Sequence, residues 1–287
     1  MCSQPDSSRV QLMSRLRILD FRMLFLAGGL AVLIGSVGAP SCAATEPNAT
    51  AVAGFNSYIA VVESRLAQQH QSRDGFLGPI TSVAQGEFSV RRGDLIVEKL
   101  TPSEVGAFPG AMLHHWRGTA FLPGATAADF ERLMQDFNAY PKRFSPQVLR
   151  ARVLTQQGGH VQVDMRVKQR HVITVVMDTA YDITFGRLDP QHGYSISRST
   201  RISEIDQPGT AAERALNENE EHGFLWRLNT YWSYEERDGG LAMQIESVSL
   251  TRSIPAGLGW AVAPFVESVP RESLEFTLRS VCNALHK

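Results

Sequence analysis

The chain has 287 residues, 43% of them hydrophobic and 20% charged, with a formal net charge of -1. Such a composition indicates a globular class, and a charge this close to zero argues against attraction to nucleic acid. The chain is long enough to bury one large core.

The first segment has its own character. Arg9, Arg15, Arg17 and Arg22 precede an apolar run, Met23 to Val37, and the small residues Ser41, Cys42, Ala43 and Ala44 follow Pro40. A basic stretch, a short apolar stretch and a small-residue exit are the features of a secretory signal, with cleavage expected after Ala44. The alternative is an uncleaved membrane anchor, although the apolar run is short for a spanning helix. Translation from Met1 or from Met13 is left open. Removing residues 1–44 takes away four Arg and two Asp, so the remaining 243 residues carry a charge of -3. Cys2 and Cys42 leave with the leader, and Cys282 then has no partner for an intramolecular disulfide. Asn48, Ala49 and Thr50 match a glycosylation acceptor, a pattern short enough to arise by chance.

In chain order, Phe55, Tyr58, Ile59, Val62 and Leu66 recur at helical spacing and predict a helix over 52–69. Arg73 to Pro79 reads as a loop, and Glu87 to Val90 with Leu95 to Leu100 reads as a β-hairpin. Ala111 to Leu122 reads as a strand. Thr126, followed three residues later by Asp129, caps a short helix whose stripe is Phe130, Leu133, Met134 and Phe137. Further strands are expected over 147–155, 160–168, 171–185, 194–205, 224–236 and 241–252. Asp206 to Gly223 is a polar insertion with five acidic residues, either a solvated surface loop or a lid at the mouth of a pocket. A proline- and glycine-rich run, Ile254 to Pro264, leads to a final helix from Pro270, with Leu274, Leu278, Val281 and Leu285 on its apolar face.

These elements describe an α+β chain in which a curved antiparallel β-sheet wraps around a long C-terminal helix, with an N-terminal helix and hairpin as an extension. The divisions are 1–44 for the signal peptide, 45–109 for the extension and 110–287 for the main domain. The residues His114, His115, Trp116, Arg117 and Gly118, the stretch GFLWRLNTYWSYEERDGG at 223–240, SLTRSIPAGLGW at 249–260 and the helix start PRESLEFTL at 270–278 resemble the START-like superfamily, within it an uncharacterised group of exported bacterial proteins. The resemblance implies the helix-grip fold and a space between sheet and helix. That superfamily includes lipid-transfer domains and polyketide cyclases and has no shared catalytic motif.

Signatures of established chemistry are absent: there is no GxSxG elbow, HExxH helix, Walker loop, CxxC pair or GxGxxG fingerprint. No cofactor or metal is called for. His114 and His115 are neighbours on a strand and point to opposite faces, so they cannot share a metal; one is expected toward the cavity, the other toward water or the N-terminal segment. Each histidine reads either as a satisfied structural group or as an acid or base facing a ligand. Strand parity puts His171, Val175, Met177 and Tyr181 on one face, and Trp226 and Trp232 on the face of the penultimate strand that carries Phe224, Leu228 and Tyr234. Met165 and Met243 belong to the apolar sets of their own strands. Arg198, Arg201, Arg227, Glu246 and Arg252 read as surface cross-strand charges.

The expected ligand-binding set is therefore His114, Trp116, Met165, His171, Val175, Met177, Tyr181, Trp226, Trp232, Met243, Leu274 and Leu278. The expected function is an exported protein that binds a hydrophobic small molecule, a lipid or polyketide-like aromatic. The alternative is a cofactor-free enzyme of the cyclase or dehydratase kind in which His114, His171 or Tyr181 moves a proton. A third reading is a partner-binding module with a packed core. The partner expected is an apolar small molecule or lipid and no nucleic acid, while transient membrane contact and oligomeric state are left open.

Overall fold

A computed structural model describes residues 46–80, 95–101, 108–170, 174–253 and 259–286, with the side chains of the last helix described from 268 onward. The predicted leader, the first arm of the predicted hairpin (87–90) and His171 lie outside the described residues.

Helix α1 spans Ala49–Gln69, and its N-cap is Asn48, whose side chain accepts a hydrogen bond from the Thr50 amide at 2.8 Å. The strands are β1 (Ile96–Lys99), β2 (Ala111–Pro123), β3 (Val148–Gln157), β4 (His160–Arg170), β5 (Thr174–Asp189), β6 (His192–Asp206), β7 (Arg214–Ala215), β8 (Arg227–Arg237) and β9 (Gly240–Arg252). Between β2 and β3 lie α2 (Ala127–Gln135), a 3-10 turn (Phe137–Ala139) and α3 (Tyr140–Arg143). The chain closes with α4 (Gly259–Leu285).

The order across the sheet is β1-β2-β9-β8-β6-β5-β4-β3, antiparallel at every described pairing, with β7 attached to β6. The curled, unclosed sheet and the helix docked inside it make this an α+β helix-grip fold. The last helix begins earlier than its sequence predicts. It runs through Pro264 and Pro270, although each proline forgoes a backbone bond to the residue four before it. No helix among the described residues is long and apolar enough to cross a membrane.

One core lies on the concave side, called inner here. Leu274, Leu278, Val281 and Leu285 of α4 and Phe130 and Leu133 of α2 pack on Trp232 and Tyr234 of β8 and Leu241, Met243 and Ile245 of β9. Gly118 of β2 permits this approach: a Cβ at that position would lie 2.3 Å from Leu278 Cδ1 and 3.1 Å from Leu274 Cδ2. At the opposite edge, Gln169 of β4 donates to Ser273 Oγ of α4 at 3.0 Å, so the sheet meets the helix from both sides.

A second core lies on the convex, outer face. Phe55, Ile59, Val62 and Leu66 of α1 pack on Ala111, Leu113, Tyr231, Val248 and Leu250. Polar contacts fix the docking: the Arg198 guanidinium donates twice to the Glu63 carboxylate at 2.7 Å, and Tyr58 Oη meets His115 Nδ1 at 2.9 Å. The opposite side of the same imidazole lies 3.0 Å from Glu246, which also pairs with Arg65. Glu246, expected at the surface, is thus a buried group. Burial alone would raise its carboxyl, but the His115 hydrogen bond and the Arg65 charge outweigh that and hold it below the usual range.

The α4 stripe gives a direct test of this architecture. Leu278 is fully buried, so Leu278→Ala should cost about 2 to 5 kcal/mol, whereas Arg279→Ala, which removes only an exposed pair with Glu275, should change stability by at most about 0.5 kcal/mol. Chemical denaturation reads both, and equal midpoints for the two variants would show that the stripe does not dock the helix.

Candidate functional site

The inner face divides along the strands. Toward the β8–β9 turn it is a sealed apolar core. In that half, Trp232, Tyr234, Leu241, Met243 and Ile245 are buried against α2 and the C-terminal half of α4. Past Gly118, toward the start of β2 and the end of β9, the character changes. Cross-strand register sets Ser197 of β6 opposite Thr230 of β8, Thr230 opposite Ser247 of β9, and Ser247 opposite Trp116 of β2. Period-two alternation puts all four on the face that carries Trp232, Ile245 and Gly118.

These are interior strands of the sheet, yet Ser197, Thr230, Ser247, Leu228 and Trp116 all remain partly exposed. Their outward-facing neighbours Tyr231, Val248 and Leu250 are sealed under α1. The exposure therefore lies on the inner side, next to the apolar floor, and this part of the face is called the bay here. The next row pairs Leu228 with Ser249 and Ser249 with His114, whose Nε2 lies 3.1 Å from Thr251 Oγ1. Trp116 Nε1 is itself buried and has no hydrogen-bond partner among the described residues, an uncommon state for a buried donor.

Of the residues expected from sequence, Tyr181, Trp232, Met243, Leu274 and Leu278 belong to the sealed core, and Trp116 and Met165 pack against it while partly accessible. Val175 and Met177 share the inner face of β5, Val175 half-buried and Met177 buried. His114 faces inward, and His115 faces α1. Trp226 departs from its parity. It packs in the outer core with Phe55 and Leu250, because the ladder of β8 starts only at Arg227 and alternation does not extend to the residue before it. The Tyr181 phenol is pushed up by burial and so keeps its proton. Cys282 is half-buried against the apolar core, and burial raises its thiol as well.

Glu204 is an inward-facing buried carboxylate that strand parity does not reveal. In β6, Ser199 pairs with Tyr181 and Arg201 with Ala180, so Thr200 is an extra residue that reverses the facing of the strand. Glu204 then lies opposite Met177, buried, and its carboxylate accepts the backbone N–H groups of His222 and Gly223 at 3.0 Å and of Phe224 at 3.1 Å. His222 Nδ1 lies a further 2.7 Å away. This carboxylate anchors the end of the 206–223 insertion. The middle of the insertion turns to the outer face, where Glu213 pairs with Arg166. That part does not lie across the bay.

A shallow recess at the β8–β9 turn, lined by Gly124, Gln191, Glu236 and Gly240, sits at the opposite end of the sheet and shares none of these residues. Among the described residues no group of histidine, cysteine and carboxylate side chains is placed to hold a metal ion.

No family model matches the chain, and no curated protein does. Solved structures do. A STAR-related lipid transfer protein from Xanthomonas axonopodis is 16% identical, with 67% of this chain and 99% of that one covered at a TM-score of 0.41. A START superfamily protein from Mycobacterium smegmatis is 13% identical, covering 60% and 96% at 0.39. The Zhui aromatase/cyclase from Streptomyces sp. R1128 is 14% identical, covering 60% and 93% at 0.40. The assignment of the fold rests on this chain's own strand order and helix placement.

Proposed function

We propose that this protein is exported and binds a hydrophobic small molecule between the sheet and α4. The observation that carries the reading is the partial exposure of Trp116, Leu228, Thr230 and Ser247 on the inner face of interior strands whose outer face is sealed. Interior strands of a packed module bury both faces; here Trp116, Thr230 and Ser247 stay partly exposed on the inner face, beside the partly buried apolar side chains of Met165, Val175 and Leu228. A concave, largely apolar bay with a few polar groups is the usual form of a small-molecule site. Export is supported by the basic and apolar composition of the first 44 residues.

The second reading, a cofactor-free cyclase or dehydratase, is favoured by one observation. His114 is the one buried imidazole among the described residues that faces the inner side, in the row next to Ser247. An imidazole there would be within reach of a ligand lying on the row. Tyr181 fits less well as a base, since it holds its proton.

Titration with N-phenyl-1-naphthylamine, a fluorescent apolar probe, tests the binding reading. The protein recovered from the producing cell's envelope should begin at Thr45 and give saturable enhancement at one site, and Thr230→Trp, which fills the bay, should abolish most of it. An unprocessed chain would contradict export, and enhancement that never saturates, or that survives Thr230→Trp unchanged, would contradict the site.

A further inference from the structure

The polar half of the inner face inverts the usual order of a sheet. In β9, Ser247, Ser249 and Thr251 point toward the inner side while Val248 and Leu250 point toward α1; in β6, Ser197 points inward beside Ile196. If this half were simply packed core, apolar residues would fill it, as they do one row away at Trp232 and Ile245.

Resting on the binding reading above, we propose that the row Ser197–Thr230–Ser247–Trp116 selects a neutral, oxygen-bearing ligand, an amphiphile whose hydroxyl, ester or ketone oxygens lie on the row while its hydrocarbon part lies against Met165 and Val175. Four adjacent strands separate the ends of the row by roughly 14 Å, at strand spacings of about 4.8 Å, so it can meet several oxygens of one molecule. The three hydroxyls can donate or accept, but the indole N–H of Trp116 only donates. An acceptor oxygen of the ligand therefore belongs at the Trp116 end, where the buried Nε1 has no partner among the described residues. Leaving such a donor unmet costs free energy, which a ligand acceptor returns on binding.

The charge around the row selects against ions. No acidic or basic side chain stands within it. Glu204, which faces inward farther along β6, has its carboxylate occupied by the His222, Gly223 and Phe224 amides. Lys99 of the edge strand β1 lies beside Trp116 in the ladder, but it is exposed and already engaged in an interaction of its own. A fatty-acid anion placed on the row would give up its hydration to neutral hydroxyls alone, which is costly for a charge.

The test uses the full chain and three probes of equal chain length: 1-monolauroylglycerol, laurate and dodecane, each displacing N-phenyl-1-naphthylamine. The monoacylglycerol should displace the reporter at concentrations at least about tenfold below both of the others. Trp116→Phe and Ser247→Ala should each weaken it by about threefold to tenfold, the range of one hydrogen bond, with a smaller loss for dodecane. Equal potency of monoacylglycerol and dodecane, tightest binding by laurate, or variants that weaken all three probes alike would overturn the proposal while leaving a binding site in place. Failure of the wild-type protein to take up the reporter at all would overturn the binding reading and this inference with it.

Discussion

The close approach of Gly118 and Leu278 sets the rest of the structure. A helix can lie low on a sheet only where the strand beneath offers no side chain, and at Gly118 the space a Cβ would take is held by the Leu278 and Leu274 methyls. Seated there, the C-terminal half of α4 presses on Ile245, Met243 and Leu241 and closes that half of the concavity together with Phe130 and Leu133. The next inward side chain along β2 is Trp116, the largest residue type, directly after the smallest. The change from glycine to tryptophan within two residues marks the boundary between sealed floor and open bay.

The helix on the other face makes that bay possible. By covering Val248, Leu250, Tyr231 and Leu113, α1 takes over the apolar burial of the middle strands, and the inner positions of the same strands are released from core duty. A serine at 247 or 249 is then tolerated because stability comes from the outside. The docking of α1 is correspondingly specific. Besides its apolar stripe it is held by Glu63 to Arg198, by Arg65 to Glu246 and by Tyr58 to His115. His70, at its end, meets Ser233 Oγ at 2.7 Å and stacks on Tyr194, where burial and the nearby Arg65 charge push its imidazole down to about 4.

Most elements were legible because their periodicities are strong. The stripe of α1, the cap at Thr126 and the alternation of β4 each correspond to an observed element. Three features were not. The start of α4 was hidden by Pro264 and Pro270, which locally argue against helix and are overridden by the packing of the stripe that follows. Trp226 was placed by a parity that ends where the ladder ends. Glu246 reads as a surface charge on its strand, and only the long-range docking of α1, nearly two hundred residues earlier, buries it among partners. The inward hydroxyls of β9 stand in plain alternation, as SVSLT at 247–251, whereas the expected ligand-binding set centres on aromatic residues, of which Tyr181 and Trp232 belong to the sealed floor and Trp226 to the outer core. Glu204 faces inward only because of the extra residue at Thr200, which the sequence does not announce.

The central claim is that one concave face holds both a closed apolar floor and an accessible hydroxyl-lined bay. Thiol accessibility measures this most directly: Ser247→Cys and Met243→Cys, two inward positions on the same strand, are placed singly in a chain whose Cys2, Cys42 and Cys282 are replaced by serine, and the rate of modification by a small neutral disulfide reagent is followed in the folded protein. The account predicts that the cysteine at 247 reacts at least about a hundredfold faster than the one at 243, and that N-phenyl-1-naphthylamine slows it. Equal, slow reaction at both positions would mean that the inner face is packed along its whole length, and would contradict the account.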